Sequence, residues 1–208
     1  MPVRVLPISM APSVALASLA PARKVLVSGD LAHSFVLQLV ARAACEDRKV
    51  LFLSADNRFD PYVISRFAKL SGANPEQALR RILIARAFTA YQFVEMVARL
   101  PGASSEQDLV VVSGPCSAFF DEDVSHIDAA RLFYRVLWRI VDLAREGMTV
   151  LLAQPEPARV WRRAYFLTDL RRLSDIVLRL GGEHSFTIER HGAMALPQIP
   201  GLESISKE

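Results

Sequence analysis

The chain has 208 residues, 51% hydrophobic and 23% charged, which suits one compact domain with a sizeable core. Its net charge of +3 permits contact with nucleic acid without demanding it. No apolar run reaches the ~18 residues that a membrane span needs, which excludes a helical membrane protein.

Residues 1–22, rich in Pro, Ala and Ser, read as an extended arm. They make a poor secretion signal, because Pro7 and Pro12 interrupt the apolar region. A strand is expected over 24–28 and a helix over 34–47, where Phe35, Leu39 and Ala43 recur at helical spacing. The run 50–54 is apolar throughout, as a strand buried on both faces of a parallel sheet must be. Helices follow over 61–70 and 75–81, with Asn74 as cap and Pro75 at the first helical position. The pattern continues with a strand at 82–87, a helix at 90–100, a surface loop at 101–107 and a strand at 108–112. The longest helix covers 127–146 and stops at Gly147, and a strand follows at 149–153. The tail reads as two antiparallel strands, 175–180 and 186–190, joined through Gly181-Gly182.

The β-α-β-α alternation predicts an α/β fold with a doubly wound parallel sheet and right-handed crossovers. Residues 23–200 form the core domain in this reading, and 201–208 a tail. Cys45 and Cys116 lie far apart in sequence and in no metal-spaced cluster, so both read as reduced, buried thiols of a cytoplasmic protein. His33, His126, His184 and His191 are scattered, which argues against a metal site. No Ser lies in a G-x-S-x-G elbow.

The chemistry-bearing corner of such a fold is the first strand-to-helix turn, where helix N–H groups and the dipole hold a phosphate. The usual motif is G-x-x-x-x-G-K-[ST]. Gly29 is present, but Ser34, Phe35 and Val36 occupy the Gly, Lys and Ser/Thr places. Neither Phe35 nor Val36 supplies a cation or a metal ligand.

Two stretches, Phe52-Leu-Ser-Ala-Asp-Asn-Arg-Phe-Asp-Pro61 and Ile82-Leu-Ile-Ala-Arg-Ala-Phe-Thr-Ala-Tyr-Gln92, resemble the ATPase core of the RecA/RadA recombinase superfamily. In that family an acidic residue and Phe-x-Pro follow the second strand. An Ala-Arg-Ala-Phe strand comes next, with Gln four residues beyond its Phe. The resemblance spans about residues 23 to 200. It implies a RecA-like three-layer αβα core, with a mainly parallel sheet, helices on both faces and a C-terminal antiparallel extension. It also implies where the ATPase residues would fall. The phosphate-binding Lys becomes Phe35, the magnesium-ligating hydroxyl Val36, and the metal-side acid of strand four Ser113. The water-polarising glutamate falls on Asp56, and the phosphate-sensing Gln is kept as Gln154. Phosphoryl transfer relies on positioned cations and metal, so no hydrolysis and no cofactor are expected.

The family joins its protomers by adding an arm that carries a Phe and an Ala to the Ala-Arg-Ala-Phe edge strand. The matching pocket positions are Phe59, Pro61, Ile64, Leu83, Ala85, Met96 and Leu100, all apolar. The implied partner is a recombinase or another RecA-like protein, or a second copy joined through the edge strand; residues 1–22 carry no Phe-x-x-Ala to donate.

Of the family's two DNA loops, the first becomes the acidic Phe119-Phe-Asp-Glu-Asp123, which repels phosphate. The second becomes Pro155-Glu-Pro-Ala-Arg-Val-Trp-Arg-Arg-Ala-Tyr165. Its Arg159, Trp161, Arg162 and Arg163, followed by Arg171 and Arg172, are candidate single-strand contacts. A second basic stripe is Arg131, Arg135 and Arg139. The leading expectation is therefore a catalytically inactive RecA/RadA-like accessory factor in recombination and repair. Two alternatives stand beside it. One is a residual nucleotide binder using Gly29 and Asp56; the other is an interaction protein resembling the bacterial division inhibitors, which share an emptied RecA-like fold.

Overall fold

A computed structural model describes residues 4–7, 22–100, 108–156, 163–180 and 185–190. Eight strands form one sheet: β1 (Arg4–Pro7), β2 (Lys24–Ser28), β3 (Val50–Ser54), β4 (Ile82–Arg86), β5 (Leu109–Ser113), β6 (Val150–Gln154), β7 (Ile176–Leu180) and β8 (Ser185–Arg190). Their spatial order is β1-β8-β7-β2-β6-β5-β3-β4. The six from β7 to β4 are parallel, while β8 runs antiparallel to both β7 and β1. The protein is an α/β fold with a three-layer αβα core and a mostly parallel sheet.

Every residue of β3, β5 and β6 is buried, and so is every residue of β2 beyond Lys24. Strands covered on both faces have no polar side, which explains the uninterrupted apolar runs. Helices α1 (Ala32–Cys45), α2 (Pro61–Leu70) and α3 (Pro75–Arg80) cover one face. There Phe35, Val36, Phe52, Phe59 and Ile64 share a core. Helices α4 (Ala90–Ala98), α5 (His126–Arg145) and α6 (Tyr165–Leu173) cover the other. On that side Phe119 packs against Phe93, Phe133 and Phe166, with ring centroids 5.5 to 6.2 Å apart. Each fully buried side chain of this size contributes ~1.5–3 kcal/mol, so the two cores dominate the stability.

The helix starts follow local chemistry. Asp60 caps α2 and Asn74 caps α3, each with Pro at the next position. Ser125 caps α5 and hydrogen-bonds the Asp128 carboxylate in return. Gly147, at φ +94°, closes α5 by donating to the Ala144 carbonyl, as the sequence predicts.

Three expectations change. The stretch 175–180 is not simply half of an antiparallel pair: β7 also joins the parallel sheet beside β2. Part of the expected arm, Arg4–Pro7, pairs with β8 at the sheet edge farthest from β4. Cys45 is only half-buried, while Cys116 is fully buried. The predicted 101–107 loop, the Gly181-Gly182 link and the 201–208 tail lie outside the described residues. No helix among the described residues is long and apolar enough to cross a membrane.

Candidate functional site: a filled corner and an open sheet edge

The turn from β2 to α1 is short. Only Gly29, Asp30 and Leu31 separate strand from helix, and the Ala32 N–H already donates to the Gly29 carbonyl at 3.0 Å. Gly29 has φ +112°, and a Cβ there would lie 2.4 Å from the Leu180 carbonyl oxygen. The glycine is thus required by the approach of β7. Ser34 is exposed on the first turn, while Phe35 and Val36, only 4% and 1% exposed, point into the α1-side core. Both side chains are hydrocarbon and offer neither a cation nor a hydroxyl to the turn.

The remaining polar positions of the corner bond to one another. The Asp56 carboxylate accepts from Ser113 Oγ at 2.8 Å, from Ser54 Oγ at 3.1 Å and from the Arg58 N–H at 3.3 Å. Because Ser113 Oγ donates to Asp56, it accepts from His33 Nδ1 at 3.1 Å, which selects the Nδ1–H tautomer. Burial pushes His33 below its ordinary pKa, outweighing the upward pull of Asp56 and of the Arg58 main chain. His33 is therefore neutral at neutral pH and brings no charge for a triphosphate. The close fit extends to Gly114, at φ +69°, where a Cβ would meet the Asp56 Cβ at 2.6 Å. Gln154 is buried, its Oε1 accepting from the Cys116 N–H at 2.8 Å and its Nε2 donating to the Pro155 carbonyl at 3.2 Å. This network braces the strand ends, with Asp30 and Arg58 exposed beside it. No group of three or more His, Cys, Asp or Glu among the described residues could hold a metal ion.

The two family-like motifs have local structural work as well. Phe59 packs edge-on against Phe52, with centroids 5.0 Å apart, ahead of the Asp60 cap and Pro61. Thr89 caps α4, and Gln92 answers by accepting the Phe88 N–H at 2.9 Å, a capping-box exchange.

Edge strand β4 pairs with β3 and, among the described residues, with nothing on its other side. Such an edge presents a row of unpaired backbone groups. Leu83 is 60% exposed, Phe88 73% and Tyr91 57%, with Ile84 also exposed. The seven predicted pocket positions divide around this edge. Phe59 and Ile64 belong to the α1-side core, with Pro61 exposed at the start of α2. Leu100 is core on the opposite face, with Ala85 and Met96 half-buried against it. Of the two predicted positions on β4, Leu83 is exposed and Ala85 half-buried. Ile84, Phe88 and Tyr91, which the expected pocket did not include, are also exposed along β4 and the start of α4.

Among the candidate nucleic-acid contacts, Arg159, Trp161 and Arg162 lie outside the described residues. Arg163 is half-buried, and its guanidinium donates to the carbonyls of Phe119 (2.6 Å), Asp121 (3.0 Å) and Val124, pinning the acidic loop to the start of α6. Arg171 pairs with Glu156. In the second basic stripe, Arg139 donates to the Leu100 carbonyl at 2.7 Å and pairs with Glu146, so the stripe keeps only Arg131 and Arg135.

The fold and these sites define a three-layer α/β protein with an apolar, tightly packed first strand-to-helix corner at β2 and, among the described residues, an unpaired edge at β4. No protein-family model matches the chain, and no curated protein matches it in sequence.

Proposed function

We propose that this chain is a catalytically inactive, cytoplasmic relative of the RecA/RadA recombinase core that serves DNA recombination and repair as a docking factor. The partner is a recombinase or another RecA-like protein, held along β4. One observation carries the reading: Phe35 and Val36 fill the corner that a triphosphate would need, while Leu83 on β4 stays 60% exposed beside an unpaired backbone. The Asp56–Ser113–His33 network speaks against residual nucleotide binding, because the Ser54, Ser113 and His33 Nδ1–H donors that phosphate oxygens would need are spent within it.

The experiment immobilises the full chain and measures binding of the recombinase from the same organism by biolayer interferometry. Binding is expected for the native chain. Leu83→Glu should weaken it by more than ~1.4 kcal/mol, a factor of about ten, with an unchanged circular dichroism spectrum. Ala85→Glu gives the same loss where the half-buried position tolerates it. Absence of recombinase binding, or binding indifferent to Leu83→Glu, overturns the proposal. Capture of a cytoskeletal GTPase in place of the recombinase establishes the division-inhibitor-like reading.

A further inference from the structure

The charge around β4 says what kind of strand it accepts. Residues 80–100 contain Arg80, Arg81, Arg86 and Arg99, and the acids paired with them are Glu76, Asp47 and Glu95, so the surplus around β4 is one positive charge, that of Arg86. Arg81 is tied to Asp47, and the exposed pairs Arg80–Glu76 and Arg99–Glu95 hold their partners weakly. Arg86, on the strand itself, is exposed and has no carboxylate partner among the described residues. Side chains alternate across the strand. Leu83 and Ala85 therefore lie on the α4 face, while Ile84 and Arg86 lie on the α2 face.

We infer that β4 accepts an extended acidic segment of another protein, with apolar side chains on the Leu83 face and carboxylates beside Arg86. Resting on the reading of β4 as the docking edge, this adds the chemistry of the partner strand. Phe88 and Tyr91, exposed where β4 runs into α4, extend the apolar contact beyond the strand. A second copy of this chain fits badly. Antiparallel pairing of two β4 strands about Ile84 sets Arg86 of one copy opposite Ile82 of the other, and β4, Ile-Leu-Ile-Ala-Arg, holds no carboxylate to meet that charge. Exposed aromatics beside arginine would also suit single-stranded nucleic acid, but the row of unpaired backbone donors and acceptors favours a peptide strand.

The test probes the full chain, fluorescently labelled, against an array of dodecamers in which Phe, Val or Ala alternates with Glu, Lys or Ser. Each peptide is repeated with two central prolines, and a dodecameric oligo-dT serves as competitor. The Glu set should bind about tenfold better than the Lys set. Central proline should abolish binding, and Arg86→Glu should erase the preference for Glu. Equal binding of the Glu and Lys sets, no binding of the Glu set, tolerance of proline, or displacement by oligo-dT overturns the inference. A chain that captures the recombinase through Leu83 yet shows no preference for acidic strands loses this inference alone. One that captures neither loses the docking reading too.

Discussion

Glycine at a strand-to-helix corner can answer two demands, anion binding and packing, and the packing demand is explicit at Gly29. A phosphate-binding turn needs glycine so that the backbone can wrap an anion. In this chain glycine is needed because φ is +112° and the Leu180 carbonyl oxygen lies where a Cβ would go. Gly29→Ala should therefore destabilise the protein by ~2–4 kcal/mol in urea unfolding, to the same extent with and without nucleotide. A loss that appears only when nucleotide is present would mean that the turn still holds phosphate. Phe35 makes the complementary point: burying an aromatic ring in the α1-side core is favourable, whereas a lysine there would bury an unpaired ammonium.

At the scale of the element, the join between β2 and β7 is held by one carboxylate. Asp175 accepts from the Lys24 ammonium at 2.6 Å and from the N–H groups of Arg23 and Lys24, both at 2.9 Å. Burial alone would raise its pKa, but these bonds outweigh burial and hold it below the usual carboxylate value. A depressed folded-state pKa gives stability that is present above the unfolded-state value of about 4 and is lost as pH falls through the folded value. Asp175→Asn should cost ~1–2 kcal/mol at neutral pH, and the gap from the native chain should close in acid. A gap that persists unchanged at pH 2 would refute the assignment. Elements with one strong signal were legible in the sequence: β3 and α2 appear at their predicted limits, from an unbroken apolar run and from a capped, proline-started helix. Helix α6 was not, because Ala164 offers no capping side chain and the arginines before and within it read as a nucleic-acid loop. Strand β1, four residues ending in Pro7, is too short to show a period.

Across the whole molecule, the filled corner and the open edge are separate places. From β2 the order runs through β6, β5 and β3 to β4, four steps of ~4.8 Å or about 19 Å. Phe35 and Val36 therefore lie well away from Leu83, Phe88 and Tyr91, although the network reaches toward the edge through Ser54, which donates to Asp56 and pairs with Arg86. That Phe35 and Val36 carry no cation and no metal ligand is readable in the sequence, and the structure adds that both are buried in the α1-side core. The internal bonding of Asp56, Ser113 and His33 was not, because 57 and 80 residues of sequence separate the partners. The most direct test of the account is isothermal titration of the full chain with MgATP, with phosphate release followed in the same sample. The account predicts no saturable heat and no turnover. Saturable binding accompanied by phosphate release would contradict it.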